Sequence, residues 1–419
     1  MAHFNNKFNS KHEFMKEKAI AIVFIIFLFS CTSSNEDKNT RDEQEESTVK
    51  ILSSEGRKPH SVYITKNYNQ QPVICWTEED TLSKIKYVYY SVSSDNGNSF
   101  SEKNEIPVEQ TIQLHAEGMP KIAFRKNGDV YAFYEVTSNS EVNHFAGEIH
   151  YKLSTDNGKN WSTPNRVHQD STKHKGWSFF DVAMLSNGEI GACWLDTSNP
   201  DGGRPVKFAK TNATGKFSDE VMVDDLACEC CRTGIYCDES GIINIVYRDI
   251  IQDSIRDISV ATSSDGGKTF SNPICFSGDN WNIQGCPHNG PDVVSDSNGI
   301  YAVWFTGTSQ QGLYYAELNS SGSISKKEQI NSEGRNIQIA LLPDGNKIMV
   351  YNESYKIENT FYSTIKFKKG NQEPVILTDE KVSASLPVIL ALNNSQCIVT
   401  WLEENNGQEQ VVYKLAAMQ

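Results

Sequence analysis

Two short stretches carry the residues best suited to chemistry. One is Cys228-Glu229-Cys230-Cys231-Arg232, and the other is Cys286-Pro287-His288. Thiolate and imidazole together suit zinc or copper. The spacing is not that of a zinc finger, so one ion would need ligands from both stretches. Each stretch stands just ahead of a strand-like run. His115, Met119 and His174 occupy similar positions and are further candidate ligands. A rival chemistry uses the same thiols: in an oxidising compartment Cys228, Cys230 or Cys231 would bridge Cys286 in a disulfide. Cys75, Cys193 and Cys397 lie within apolar runs and read as core thiols, while Cys237 and Cys275 fit either setting.

The elements that must position these residues repeat along the chain. Apolar runs ending in an aromatic recur, closing at Trp76, Tyr134, Trp194, Tyr247, Trp304, Tyr351 and Trp401. Their spacing is 58, 60, 53, 57, 47 and 50 residues. A period near 50 residues with β-branched and aromatic content points to an all-β propeller. A shorter run precedes each marker and a third follows it. Three copies of Ser-x-Asp-x-Gly-x-x-aromatic come next in their units, at residues 93–100, 154–161 and 263–270. Such a sequence makes a rigid turn: Asp and Ser bond the turn backbone, and Gly supplies positive φ. Residues 211–217 and 319–325 read as decayed copies. Seven markers predict a seven-bladed β-propeller of four-stranded antiparallel blades over residues 48–419. The last unit lacks a fourth strand, and Thr48–Leu52 is expected to supply it from the other end of the chain.

The three turns resemble the Asp-box (BNR) repeats of the sialidase superfamily. That resemblance implies a propeller with the boxes on its periphery. Sialidases proper have six blades, so a six-bladed ring is the alternative. In such a ring the segments leading into the innermost strands line one mouth of the channel. Cys228, Cys230, Cys231, Cys286 and His288, with His115 and His174, would then share a rim. The resemblance also implies a glycosidase chemistry. Arg57, Arg232 and Arg335 stand at matching positions and could imitate the family's arginine triad for a substrate carboxylate. Arg57-Lys58-Pro59 is similar to the family's Arg-Ile-Pro, with Lys58 in place of Ile. The Tyr nucleophile has no counterpart before the last run, where Ser385-Leu386-Pro387 stands, and Asp80 and Asp181 are acids without an evident partner. Arg248-Asp249 and Arg256-Asp257 read as ion pairs between blades. Three functions therefore stand open. One is a ligand- or metal-binding propeller. Another is an exo-α-sialidase-like glycoside hydrolase acting on a glycan. The third is a non-catalytic scaffold for protein partners.

The address is written at the start of the chain. Residues 1–30 read as a lipoprotein signal peptide, with lysines ahead of a twelve-residue apolar run, Ala19–Ser30. That run is too short to span a bilayer. It ends at Leu28-Phe29-Ser30-Cys31, which resembles a bacterial lipobox with Cys31 as the lipidated residue. Residues 31–47 are polar and acidic and are expected to form a disordered tether. The expected location is the outer membrane, lipid-anchored and facing the periplasm or the cell surface. The formal charge is −14; removing residues 1–30 takes away four lysines and two glutamates and leaves −16. Such a balance argues against nucleic acid. A monomer is expected.

Overall fold

A computed structural model describes residues 48–419 except 139, 201, 284 and 419. The signal peptide, Cys31 and the acidic tether lie outside the described residues. Strands alone make up the regular structure of the described residues.

Five antiparallel sheets of four strands follow one another in chain order. The first holds Arg57–Lys66, Pro72–Asp80, Lys86–Val92 and Asn104–Ile106, and the second Lys121–Phe124, Val130–Thr137, Gly147–Ser154 and Asn165–Arg166. The third is Ser178–Met184, Ile190–Leu195, Arg204–Thr211 and Phe217–Ala227. The fourth is Gly234–Cys237, Ile243–Arg248, Ile258–Ser263 and Ile274–Cys275. The fifth is Asp292–Asp296, Gly299–Thr306, Gly312–Leu318 and Ile324–Asn331. The remaining strands form an eight-stranded sheet. Its first half is Gly334–Leu341, Lys347–Ile357, Thr360–Lys369 and Val375–Ile376. Its second half is Ser383–Ala391, Gln396–Asn405, Gln408–Ala417 and the early strand Lys50–Ile51. A single parallel bridge, Ser363 to Ser383, joins the halves.

The expected closing strand is present. Lys50 pairs Tyr413 and Ile51 pairs Val412, antiparallel. Leu52 N donates to Val411 O at 2.9 Å and Val411 N donates to Ser53 Oγ at 2.9 Å. The first strand of each sheet packs against the first strand of the next, and Ser383–Ala391 packs back on Arg57–Lys66.

The core lies between successive sheets rather than within one. All seven marker aromatics are 0–1% exposed, so the sequence period is a packing period. Trp194 and Tyr131 share a cluster between the second and third sheets, and Tyr247 and Phe208 one between the third and fourth. Cys75, Cys193 and Cys397 are buried core thiols, as expected.

The Ser-Asp-Gly turns link strands three and four of their sheets and also pin each sheet to the one before. In the second sheet Ser154 Oγ donates to Asp156 Oδ1 at 2.8 Å and accepts from Gly158 N at 2.8 Å. Asp156 Oδ1 accepts from Asn160 N at 2.8 Å. The Asn160 side-chain amide, which donates to Oδ2 at 2.6 Å, and then these donors stabilise the ionised form and hold the Asp156 carboxyl at about 2. Trp161 then meets Tyr90 of the first sheet edge-on at 6.3 Å. Gly158 has φ +83°, and a Cβ there would lie 1.9 Å from the Tyr90 hydroxyl. Only glycine satisfies both the turn and the approach. Phe100 on Tyr413 and Phe270 on Phe208 repeat the contact. The decayed copies keep it: a Cβ on Gly215 would meet Tyr131, and one on Gly322 would meet Ile274.

Candidate metal centre

Cys228, Cys230 and Cys231 occupy the turn between the third sheet and the fourth. Cys286 and His288 occupy the long connection between the fourth sheet and the fifth. The fold brings the two stretches together. One ligand atom from each of Cys228, Cys230 and Cys231 lies within 4.8 Å of the others, and the same holds for Cys230, Cys286 and His288. The first group is buried, at 3%, 5% and 2% exposure. Cys286 and His288 are exposed. Cys228 and Cys230 sulfurs are 4.0 Å apart. The rival disulfide is not made among the described residues, whose nine cysteines are free. Hydrogen bonding from Cys230 and then Cys231 pushes the Cys228 thiol down, with Arg248 adding its positive charge. The same coupling raises Cys230.

Three devices hold the stretches in place. Glu117, in the segment before the second sheet, reaches both. Its carboxylate accepts from Arg232 N at 3.0 Å, Arg232 Nη1 at 2.8 Å and Gly290 N at 2.8 Å. Arg248 is the second device. Cys228 N donates to its carbonyl at 2.8 Å, and its guanidinium donates to Asn289 O at 3.0 Å, Phe305 O at 2.8 Å and Arg256 O at 2.8 Å. The third is Phe179, which packs on the three cysteines. It sits in a β-bulge with φ +59°, which turns its ring toward them. Phe179 N donates to Glu135 Oε1 at 2.7 Å, and Thr233 Oγ1 donates to Phe179 O at 2.9 Å. Glu117, Arg248 and Phe179 were not among the predicted site residues.

The structure corrects several expectations. His115 does not join the sulfurs: its Nε2 meets Glu135 Oε2 at 3.1 Å and its ring lies against Phe179. Burial lowers its pKa, but the Glu135 hydrogen bond and charge outweigh that and raise it. His174 is exposed and its Nδ1 meets Ser140 Oγ at 2.9 Å. Neither ring is free to turn to the cysteines without losing its partner. Met119 is buried in the cluster between the first sheet and the second half of the eight-stranded sheet. Arg248, Asp249, Arg256 and Asp257 form no ion pairs among the described residues. Arg248 serves carbonyls, while Asp257 accepts from Asn280 N at 2.9 Å and Trp281 N at 3.0 Å.

The three arginines of the glycosidase expectation sit in different settings. Arg57 stacks on Tyr87 at 4.1 Å and faces Asp80 at 3.9 Å. Arg335 lies over Phe305 at 4.1 Å and donates to Gly334 O. Arg232 is buried against Glu117, which already neutralises it. A cavity of about 430 Å³ lies among the first strands, lined in part by Tyr63, Lys121, Asp181 and Asp292. Lys121 Nζ lies 2.7 Å from Asp181, while Lys66 and Asp292 form no ion pair among the described residues.

A family model described as a BNR repeat-like domain matches residues 87–354, more than half of the 419. The chain belongs to that family. Its succession of four-stranded antiparallel sheets fits that match. Among curated proteins none matches. A crystal structure of a protein of unknown function from Dyadobacter fermentans DSM 18053 is similar, at 13% identity and a TM-score of 0.55, over 90% of this chain and 98% of that one. The NanB sialidase from Streptococcus pneumoniae, in complex with 2-[(3-chlorobenzyl)ammonio]ethanesulfonate, is similar at 11% identity and a TM-score of 0.50. That likeness covers 72% of this chain and 67% of the sialidase. At such identities the likeness concerns the fold. In this BNR protein thiol and imidazole ligand atoms gather in two sets of three, each within 4.8 Å.

Proposed function

We propose that this BNR protein is a metal-binding propeller of seven four-stranded blades that takes zinc or copper at one mouth of its ring. The ligands are Cys228, Cys230, Cys231, Cys286 and His288. One observation carries the reading: residues from two connections, each following a different sheet, put sulfur and imidazole ligand atoms within 4.8 Å of one another. Thiols gathered at that range lose their protons to a soft metal, and burial shields Cys228, Cys230 and Cys231 from competing water. The blade count is supported by the seven buried markers and by the two halves of the eight-stranded sheet, which are hydrogen-bonded to each other through one bridge. The lipid anchor at Cys31 and the outer-membrane address rest on the sequence. They would place the site where metal arrives from outside the cytoplasm.

The hydrolase reading has weaker support in the site. Arg232 is committed to Glu117, and Arg57 and Arg335 have partners of their own.

Elemental analysis of the full-length protein, purified without oxygen, tests the proposal. Metal should copurify with the wild type, leave with a strong chelator, and fall sharply in the double variant Cys286→Ser, His288→Ala. A wild type that stays empty after exposure to zinc and copper(I) overturns it. Release of a fluorogenic sialoside, lost on Arg232→Ala, would favour the hydrolase instead.

A further inference from the structure

We infer that the centre holds two copper(I) ions, bridged by the thiolate of Cys230. The inference rests on the metal-binding reading above and adds its stoichiometry, its metal and its order of filling. The ligand atoms do not form one group of four. Among the described residues they form two groups of three, and Cys230 is the sole member common to both. Zinc in structural sites takes four ligands in a tetrahedron. Neither group supplies a fourth. Copper(I) is softer, favours thiolate and is satisfied by three ligands. A single sulfur that belongs to two three-ligand sets is placed to bridge two such ions.

The two positions differ in access. Cys228, Cys230 and Cys231 are buried, whereas Cys286 and His288 are exposed. The outer set, Cys230/Cys286/His288, therefore meets incoming ion first. The inner set receives it through the shared sulfur: the Cys230–copper bond is kept while Cys286 and His288 are exchanged for Cys228 and Cys231. A second ion then fills the outer set. Copper enters and stays as copper(I), so no electron moves. Each ligating thiol releases one proton to water, and His288 donates the lone pair of a neutral ring nitrogen.

The clamps fit this use. Glu117 ties the residue after Cys231 to Gly290, two residues beyond His288, with one carboxylate. Arg248 bonds the backbone on both sides, through Cys228 N and Asn289 O. The two sets are thus fixed relative to each other before any ion arrives.

The test is an anaerobic titration of the full-length protein with copper(I) against a chromogenic copper(I) chelator. The wild type should bind two equivalents. The pair Cys286→Ser, His288→Ala should bind one, and Cys228→Ser should leave only the outer one. Cys230→Ser should lose both, the largest loss of any single ligand. A copper–copper scattering feature in X-ray absorption should appear in the wild type and vanish in the outer-set variant. Cys286 and His288 are exposed, so that variant should keep its fold, which its melting curve checks. One equivalent in the wild type, lost alike on any ligand substitution, overturns the bridged pair and leaves the metal-binding function standing. One equivalent of zinc with no stable copper(I) does the same. No metal at all overturns both.

Discussion

Replacing Glu117 by Gln tests whether one carboxylate holds both ligand-bearing stretches. Glu117 is 1% exposed and accepts three hydrogen bonds, two from Arg232 and one from Gly290 N. An amide has one acceptor oxygen and turns an NH2 group toward the remaining donors. At least one buried donor then loses its partner, and Arg232, 5% exposed, keeps its charge with only Asp292, beyond ion-pair range, to offset it. A lone unmet donor costs about 1–3 kcal/mol; a buried pair broken on one side costs about 3–5 kcal/mol. The second figure applies, because the next acceptor for the guanidinium is a neutral carbonyl, Ile337 O at 3.3 Å. Unfolding entropy near 60 °C is about 2.1 cal/mol/K per residue. Over Ser47–Gln419 that makes about 0.8 kcal/mol/K, so the melting midpoint should fall by about 4–6 °C. Metal affinity should fall about 10–100-fold, as when groups that orient ligands are removed. Calorimetry and chelator competition on the same anaerobic samples give both readouts. The double variant Glu117→Leu, Arg232→Met should recover only the part of the stability lost to the buried charge, because two backbone amides still lack their acceptor. It should not recover affinity, because the Arg232 and Gly290 amides stay untied. A midpoint within about 1 °C of wild type, with unchanged affinity, refutes the clamp.

Three further outcomes follow from the packing. Gly158→Ala should destabilise by about 2–5 kcal/mol, combining the left-handed backbone cost with overpacking against Tyr90; its melting curve reports this, and an unchanged midpoint would deny that the turn pins two sheets. His168 is 3% exposed, stacks on Trp177 at 4.0 Å, and burial holds its pKa at about 4. The unfolded chain therefore takes up a proton near pH 6.5 that the folded chain refuses, and stability should drop by about 3 kcal/mol as pH falls from 6.5 to 4. His168→Phe should lack that component in urea titrations across the range. Deleting residues 1–53 should cost about 3 kcal/mol through the bonds lost to Val411, Val412 and Tyr413, whereas deleting residues 1–47 should leave the melting curve in place.

The all-β architecture could be read from the sequence because its signals are local and repeated. Every marker aromatic fills the same kind of gap between sheets, and every Ser-Asp-Gly turn needs the same backbone. The closing strand was legible by subtraction, since one strand was missing at one end and one spare at the other. The grouping of Cys228, Cys230, Cys231, Cys286 and His288 followed from which segments approach the mouth. What the sequence did not reveal is side-chain direction there. His115 approaches the same mouth, yet Glu135 on the neighbouring strand captures its ring. Glu117, two residues later, points inward and bonds groups 115 and 173 positions away. A glutamate in a segment of small and apolar residues, His115-Ala116-Glu117-Gly118-Met119-Pro120, was the available signal. Arg248 looked like half of an ion pair because an acid follows it; burial beside three carbonyls gave it other work.

The seam between Lys50–Ile51 and Gln408–Ala417 has a consequence for biosynthesis. Lys50 and Ile51 are translated long before their partners, Tyr413 and Val412. Sheets can stack one upon another as the ribosome delivers them, but Lys50 and Ile51 must wait, unpaired, for Val412 and Tyr413. Locking is thus a post-translational event of very long sequence separation, and slow for that reason. Until it happens, Gln408–Ala417 presents an open strand edge to any neighbouring chain. A nascent protein truncated by a dozen residues would lack Gln408–Ala417 itself and expose the edge of Gln396–Asn405 instead.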